Sequence, residues 1–195
     1  MFSQQPKIEN QRLNHPVFDR YGFEVHVKRE DLIHPQISGN KYRKLKYNLS
    51  EAQSQNHHTL LTFGGAYSNH LAATAAAGKK MGFKTIGLVR GEELSAKFWQ
   101  NPTLAYCASQ NMQLEFISRQ SYRLKHTSEW LENIDNQYGR VYVLPEGGTN
   151  TLAVKGCEEI LTPQDAFFDV ICCPVGTGGT LAGLINSYSP PQHVI

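Results

Sequence analysis

Lys41 has the most chemistry to offer. It stands in Ser38-Gly39-Asn40-Lys41-Tyr42-Arg43-Lys44-Leu45, where the pattern predicts the first turn of a helix running Lys41–Gln53. An unperturbed lysine amine titrates near ~10.4 and must lose its proton before it attacks an aldehyde. Burial, nearby cations and a helix N-terminus each lower that value. Arg43 and Lys44 supply the cations. Lys44, three residues on, falls on a neighbouring face of the helix and can reach a phosphate. Taken alone, such a basic run reads as a solvated helix face.

Three further loops sit where strands hand over to helices. Gly64-Gly65-Ala66-Tyr67-Ser68-Asn69-His70 follows the apolar run LLTF and precedes an alanine-rich helix. Ser68 is a natural N-cap, and its hydroxyl with the N–H groups of Asn69 and His70 can hold a carboxylate. Capping and anion binding share this geometry, so the residues alone do not separate the two. A lone His70 reads first as a packed or surface histidine. Gly176-Thr177-Gly178-Gly179-Thr180 follows DVICCPV and has the makings of a phosphate cradle. It lacks the lysine of a P-loop and the GxGxxG spacing of a dinucleotide site. Pro145-Glu146-Gly147-Gly148-Thr149-Asn150 is a fourth junction, where Glu146 can touch a cleft or the segment can be a capped turn.

The elements around these loops alternate. Strands are expected at Phe23–Val27, Thr59–Phe63, Thr85–Val89, Gln113–Ile117, Arg140–Leu144 and Asp169–Cys172. Further helices are expected at Asn69–Met81, Pro102–Gln110, Tyr122–Gln137, Leu152–Ile160 and Thr180–Ser187. The order predicts an α/β fold with a largely parallel sheet and helices on both faces. In LAATAAA, Leu71–Ala77, small residues allow a helix to approach its neighbours closely.

With 195 residues, 40% of them hydrophobic, the chain can bury a real core as one domain or two small lobes. It has no apolar run of the ~18 to 20 residues a membrane span needs. MFSQQPKIENQ lacks a signal peptide's apolar stretch, so the cytoplasm is the expected compartment. The net charge of +2 is dispersed apart from KYRKLK, which argues against nucleic-acid binding. Cys107, Cys157, Cys172 and Cys173 form neither CxxC pairs nor a disulfide framework, and no metal is expected.

Three of these segments together carry a resemblance. GNKYRKLKYN, GGAYSNHLAATAAAG and GTGGTLAGL, in this order, resemble the 1-aminocyclopropane-1-carboxylate deaminase/D-cysteine desulfhydrase family. That family belongs to the fold type II, tryptophan-synthase-β-like pyridoxal phosphate (PLP) enzymes. VKREDLIHPQISGNKYRKLKYN is the most specific stretch, and the likeness runs from about Val27 to Ile195. It implies that Lys41 forms the Schiff base with the cofactor and moves protons at the substrate α-carbon. It implies that Asn69 hydrogen-bonds the cofactor 3′-oxygen and that Ser68 helps hold the substrate carboxylate and transfer a proton; from the loop itself, His70 is counted with them in the substrate site. It further implies that Gly176, Thr177, Gly178, Gly179 and Thr180 hold the phosphate with Lys44. Family members usually carry Gln where this chain has Tyr67, which leaves the substrate open between a cyclopropane amino acid, D-cysteine or another small amino acid.

The resemblance implies two lobes of open, mostly parallel sheets around the cofactor. Residues 1–50 with 157–195 would form a large lobe, incomplete here, and residues 51–156 a small one. A homodimer is usual in the family. The chain stops after Ser189-Pro190-Pro191 at Gln192-His193-Val194-Ile195, which reads as the start of another strand and suggests a truncated product. The expected function is therefore a PLP-dependent lyase or deaminase releasing ammonia and a 2-oxo acid from a small amino acid. The alternatives are a truncated PLP-binding fold without turnover and a nucleotide-binding oxidoreductase. The last lacks a suitably placed acidic residue for a ribose after GTGGT.

Overall fold

The structure is a computed structural model that describes residue 2 and residues 7–195, with Asp135 described by its backbone alone. Of the N-terminal stretch and the first lobe, residues 1 and 3–6 lie outside the described residues. The first half of the chain contains β1 (Asn10–Leu13), α1 (Pro16–Tyr21), β2 (Val25–Lys28), α2 (Asn40–Ser54), β3 (Thr59–Gly64), α3 (Asn69–Met81) and β4 (Lys84–Arg90). The second half contains α4 (Pro102–Ser109), β5 (Met112–Ile117), α5 (Arg119–Arg123), α6 (Ser128–Tyr138), β6 (Tyr142–Val143), α7 (Thr151–Cys157), β7 (Val170–Ile171), α8 (Gly179–Ser187) and β8 (His193–Val194).

The central sheet is parallel, in the order β5-β4-β3-β6. Thr59 lies opposite Lys84, Thr85 opposite Met112, and Leu60 opposite Tyr142. Side chains alternate across β3, as the strand period requires. Leu60 packs with Leu45, Leu49, Ala73 and Ala77 from α2 and α3. Leu61 and Phe63 face the other way, onto Tyr122, Ile134 and Val141. Each fully buried leucine in these layers contributes about 1.5–3 kcal/mol. The alanines at 73, 75, 76 and 77 are buried, so α3 does pack closely.

Three expectations are corrected. The strand expected at Phe23–Val27 is Val25–Lys28, and it is antiparallel, paired with the unforeseen β1. Its ribbon stands apart from the parallel sheet. The helix expected at Tyr122–Gln137 is two, because the Thr127 hydroxyl accepts from the Trp130 amide and starts α6 afresh. The helix expected to reach Ile160 ends at Cys157. The terminal segment does form a strand, with His193 and Val194 opposite Val170 and Ile171. No helix among the described residues is long and apolar enough to cross a membrane.

Two close approaches bring the chemistry together. A Cβ on Gly156 of α7 would lie 2.0 Å from the Arg43 carbonyl oxygen, and one on Gly183 of α8 would lie 2.4 Å from the Cys157 Cβ. Only glycine lets α7 lie against α2, and α8 against α7, this tightly. This stacking sets the start of α8 beside the start of α2.

Candidate active site

α2 begins directly after Gly39, and its first turn carries Lys41 and Lys44 inward. Lys41 Nζ donates to the Gly147 carbonyl at 3.1 Å. Lys44 Nζ donates to the same carbonyl at 3.3 Å, to Thr149 Oγ1 at 2.9 Å and to Thr177 Oγ1 at 3.3 Å. Both amines thus meet at one backbone oxygen of the Glu146–Gly148 turn, with no carboxylate among these partners. Burial pushes Lys41 down from its ordinary 10.5 to about 8, and the charge of Lys44 adds to the effect. Burial also lowers Lys44.

Arg43 does not share in this. It is 2% exposed and turned the other way, bonded to Glu30 at 2.8 Å and lying 3.6 Å from Glu159. Its charge is committed to fixing the start of α2, so of the two cations expected to depress Lys41 only Lys44 does so.

Lys41 lines a cleft of about 620 Å³. Ser38 to Lys41 form one wall. Gly64, Gly65 and Ser68 to His70 form the other, and Glu146, Gly147 and Thr177 lie between. Ser68 is the N-cap of α3, its Oγ accepting from the Leu71 amide at 3.2 Å. That leaves the amides of Asn69 and His70 without helical partners, as in any first turn. Asn69 is exposed at the start of the helix.

His70 is 2% exposed. The Thr62 hydroxyl donates to the Leu144 carbonyl at 3.0 Å, so its oxygen accepts from His70 Nε2–H at 2.9 Å. Burial, then the charges of Lys41 and Lys44, hold His70 down at about 3, so it is a neutral ring backing the cleft.

The Gly176–Thr180 loop meets α2 from below. Gly178, in the left-handed region, is the N-cap of α8 and offers no side-chain cap, so the first amides of α8 remain open to a ligand. Thr177 lines the cleft, whereas Thr180 Oγ1 accepts from Asn40 Nδ2 at 2.8 Å and pins the loop to α2. A Cβ on Gly179 would stand 3.2 Å from Lys44 Nζ and 2.8 Å from Thr149. A cation, two threonine hydroxyls and the amides of a helix start therefore surround one small cradle. This donor set fits a phosphate, and the depressed Lys41 amine above it fits an aldehyde carbon.

Gly147 and Thr149 escaped the sequence reading as site residues. Their only signal was the junction Pro145–Asn150, where Glu146 drew the attention. Glu146 lines the cleft, accepts from the Tyr122 hydroxyl at 2.7 Å and pairs with Lys125 at 3.2 Å. Burial raises its carboxyl, but Tyr122, Lys125 and the more distant Arg90 outweigh that and leave it below its ordinary value. No cluster of His, Cys, Asp or Glu among the described residues could hold a metal.

Comparison with known proteins agrees with this chemistry. A Thermotoga maritima protein named for 1-aminocyclopropane-1-carboxylate deaminase activity is 37% identical over 174 residues, which are 85% of this chain and 54% of that one. The bifunctional D-cysteine desulfhydrase/1-aminocyclopropane-1-carboxylate deaminase of Arabidopsis thaliana, a mitochondrial protein, is 33% identical over 84% of this chain and 44% of its own length. A solved structure of an ACC deaminase homologue superposes with a TM-score of 0.74 at 32% identity, covering 94% of this chain and 56% of that one. The chain spans about half the length of the curated relatives it matches. The family described as pyridoxal-phosphate dependent enzyme matches residues 4–190, and the chain belongs to it.

Proposed function

We propose that this chain carries the lysine wall and the carboxylate wall of a PLP-dependent lyase or deaminase acting on a small amino acid. The substrate would be of the 1-aminocyclopropane-1-carboxylate or D-cysteine type, and the products ammonia and a 2-oxo acid. One observation carries the reading: two lysines of one helix, Lys44 buried and Lys41 half-buried, converge on the Gly147 carbonyl at the cleft, beside an open helix start. The proposed lobes, 1–50 with 157–195 and 51–156, would face each other across it.

When bound, PLP supplies an electron sink for charge developing at the substrate α-carbon. The residues here do the rest. Lys44, Thr149, Thr177 and the first amides of α8 would hold its phosphate. Lys41 would take the aldehyde, since its lowered pKa leaves a useful neutral fraction near neutral pH. The same amine, when free, would accept and return a proton at the substrate α-carbon. Ser68 Oγ and the amides of Asn69 and His70 would orient the substrate carboxylate, and the Asn69 side chain would reach the cofactor 3′-oxygen.

The test is covalent trapping. Protein mixed with PLP and reduced with borohydride should carry a pyridoxyl group on the peptide containing Lys41. Lys41→Ala should lose both the label and the absorbance of the lysine-bound cofactor. An unchanged spectrum in Lys41→Ala would refute the assignment. Release of a 2-oxo acid from a small amino acid is the second readout.

A further inference from the structure

A second hollow of about 500 Å³ opens off the cleft at Gly65 and Ser68, which line both. Its other walls include Tyr67, Arg90 at the end of β4, Glu93, Leu94 and Arg119. Here the charges do not cancel. Arg119 is bonded to Glu93, and the neighbouring Glu146 to Lys125 and Tyr122. Among the described residues Arg90 has no hydrogen bond or ion pair, and Glu146 feels its charge only at longer range.

Arg90 is nonetheless held. Its guanidinium carbon lies 5.7 Å from the centroid of the Tyr122 ring. That ring is 3% exposed and pinned through its hydroxyl to Glu146. A cation over an aromatic face keeps its in-plane N–H groups available. Arg90 Nη2 would stand 3.6 Å from a Cβ on Gly65, so the unpaired donors lie at the junction of the two hollows.

We propose that this hollow is a specificity subsite in which Arg90 holds a carboxylate at the end of the substrate's side chain. The inference rests on the proposed function, because it needs the α-carboxylate at Ser68, and it replaces the 1-aminocyclopropane-1-carboxylate or D-cysteine type of substrate with a small amino acid that bears a side-chain carboxylate. A substrate anchored there presents its side chain to Gly65 and beyond, where a guanidinium makes a two-pronged pair with a second carboxylate. Leu94 offers an apolar wall to the intervening methylenes. Tyr67, 74% exposed, lines this hollow as well.

The experiment is a heteronuclear NMR titration of the cofactor-free 195-residue chain with succinate, and separately with propionate. Succinate should bind saturably and shift the Gly65 amide. Arg90→Gln should weaken succinate about tenfold, the effect of one lost charge-assisted hydrogen bond, and propionate less than about twofold. Glu93→Gln, which frees Arg119, should tighten succinate severalfold. Absence of saturable succinate binding would overturn the proposal. So would equal weakening of propionate by Arg90→Gln, which would place Arg90 on the α-carboxylate instead. Failure of PLP to attach to Lys41 would count against the proposed function and leave the succinate result standing.

Discussion

The cations of the cleft and those of the hollow beside it are set differently. Lys44 is buried and Lys41 half-buried, both with neutral oxygens as partners. Arg90 is exposed in the second hollow, with an aromatic ring beneath it. Burying an ammonium without a carboxylate is costly, and the protein meets that cost by lowering the pKa. The lysine pair is therefore poised for covalent chemistry and for a doubly charged anion that would relieve two cations at once. Arg90 keeps a permanent charge, which suits recognition and not reaction.

The sharpest way to break this contrast is Lys44→Met. If the Lys44 cradle is the phosphate seat, PLP affinity should fall about ten- to a hundredfold, the range for losing a hydrogen bond to a charged group. Titration of the absorbance against cofactor concentration measures it. A change within twofold would move the phosphate elsewhere.

Next comes pH. Lys41 reacts only when neutral, so covalent attachment of PLP should speed up with pH and level off above about 8. Below that value the rate should fall about tenfold per unit, as the neutral fraction does. Lys44→Met should raise the midpoint, since the charge of Lys44 is one cause of the shift. Stability follows with a definite sign. Between about 8 and the ordinary 10.5 the unfolded chain binds more protons at Lys41 than the folded chain does. This lysine therefore makes the cofactor-free fold gain stability as pH rises through that window. Lys41→Met should flatten the gain in urea melts at paired pH values. A slope unchanged in the variant would show that Lys41 is not buried as a strained cation.

Much of this was legible from local pattern. Thr59–Gly64 and Asn69–Met81 are continuous runs of one character bounded by glycine, and the structure matches those expectations almost to the residue. Lys41, Lys44, Ser68 and Thr177 each had a plainer reading as a solvated helix face, a cap or a turn, and only the resemblance of three ordered loops ranked them as site residues. Gly147 acts through its backbone carbonyl, which every residue carries, so no side chain pointed to it. Thr149 meets Lys44 across 105 positions of sequence, a contact that exists only because Gly156 and Gly183 let three helices stack. β1 is the polar run NQRL, whose partner strand supplies the only reason for it to be extended. Arg90 ends a strand, a position where a charged residue normally needs no explanation.

The smallest effect separates two jobs that Ser68 does with one oxygen. As N-cap of α3 it accepts from the Leu71 amide, and losing that cap to alanine costs about 1 kcal/mol. Glycine at a cap costs only a few tenths, because its backbone adopts the cap conformation freely and water reaches the open amide. Ser68→Ala should therefore lower the urea midpoint, and Ser68→Gly should nearly restore it. Ligand holding divides differently, since neither variant has a hydroxyl. If Ser68 Oγ also meets the substrate carboxylate, succinate and propionate should weaken equally in both variants, by several-fold. If only the amides of Asn69 and His70 hold the anion, Ser68→Gly should bind as tightly as the parent chain. The second result would shift the anion-holding role from the hydroxyl to the α3 backbone, joining this wall to the α8 start as a second helix end that binds through its amides.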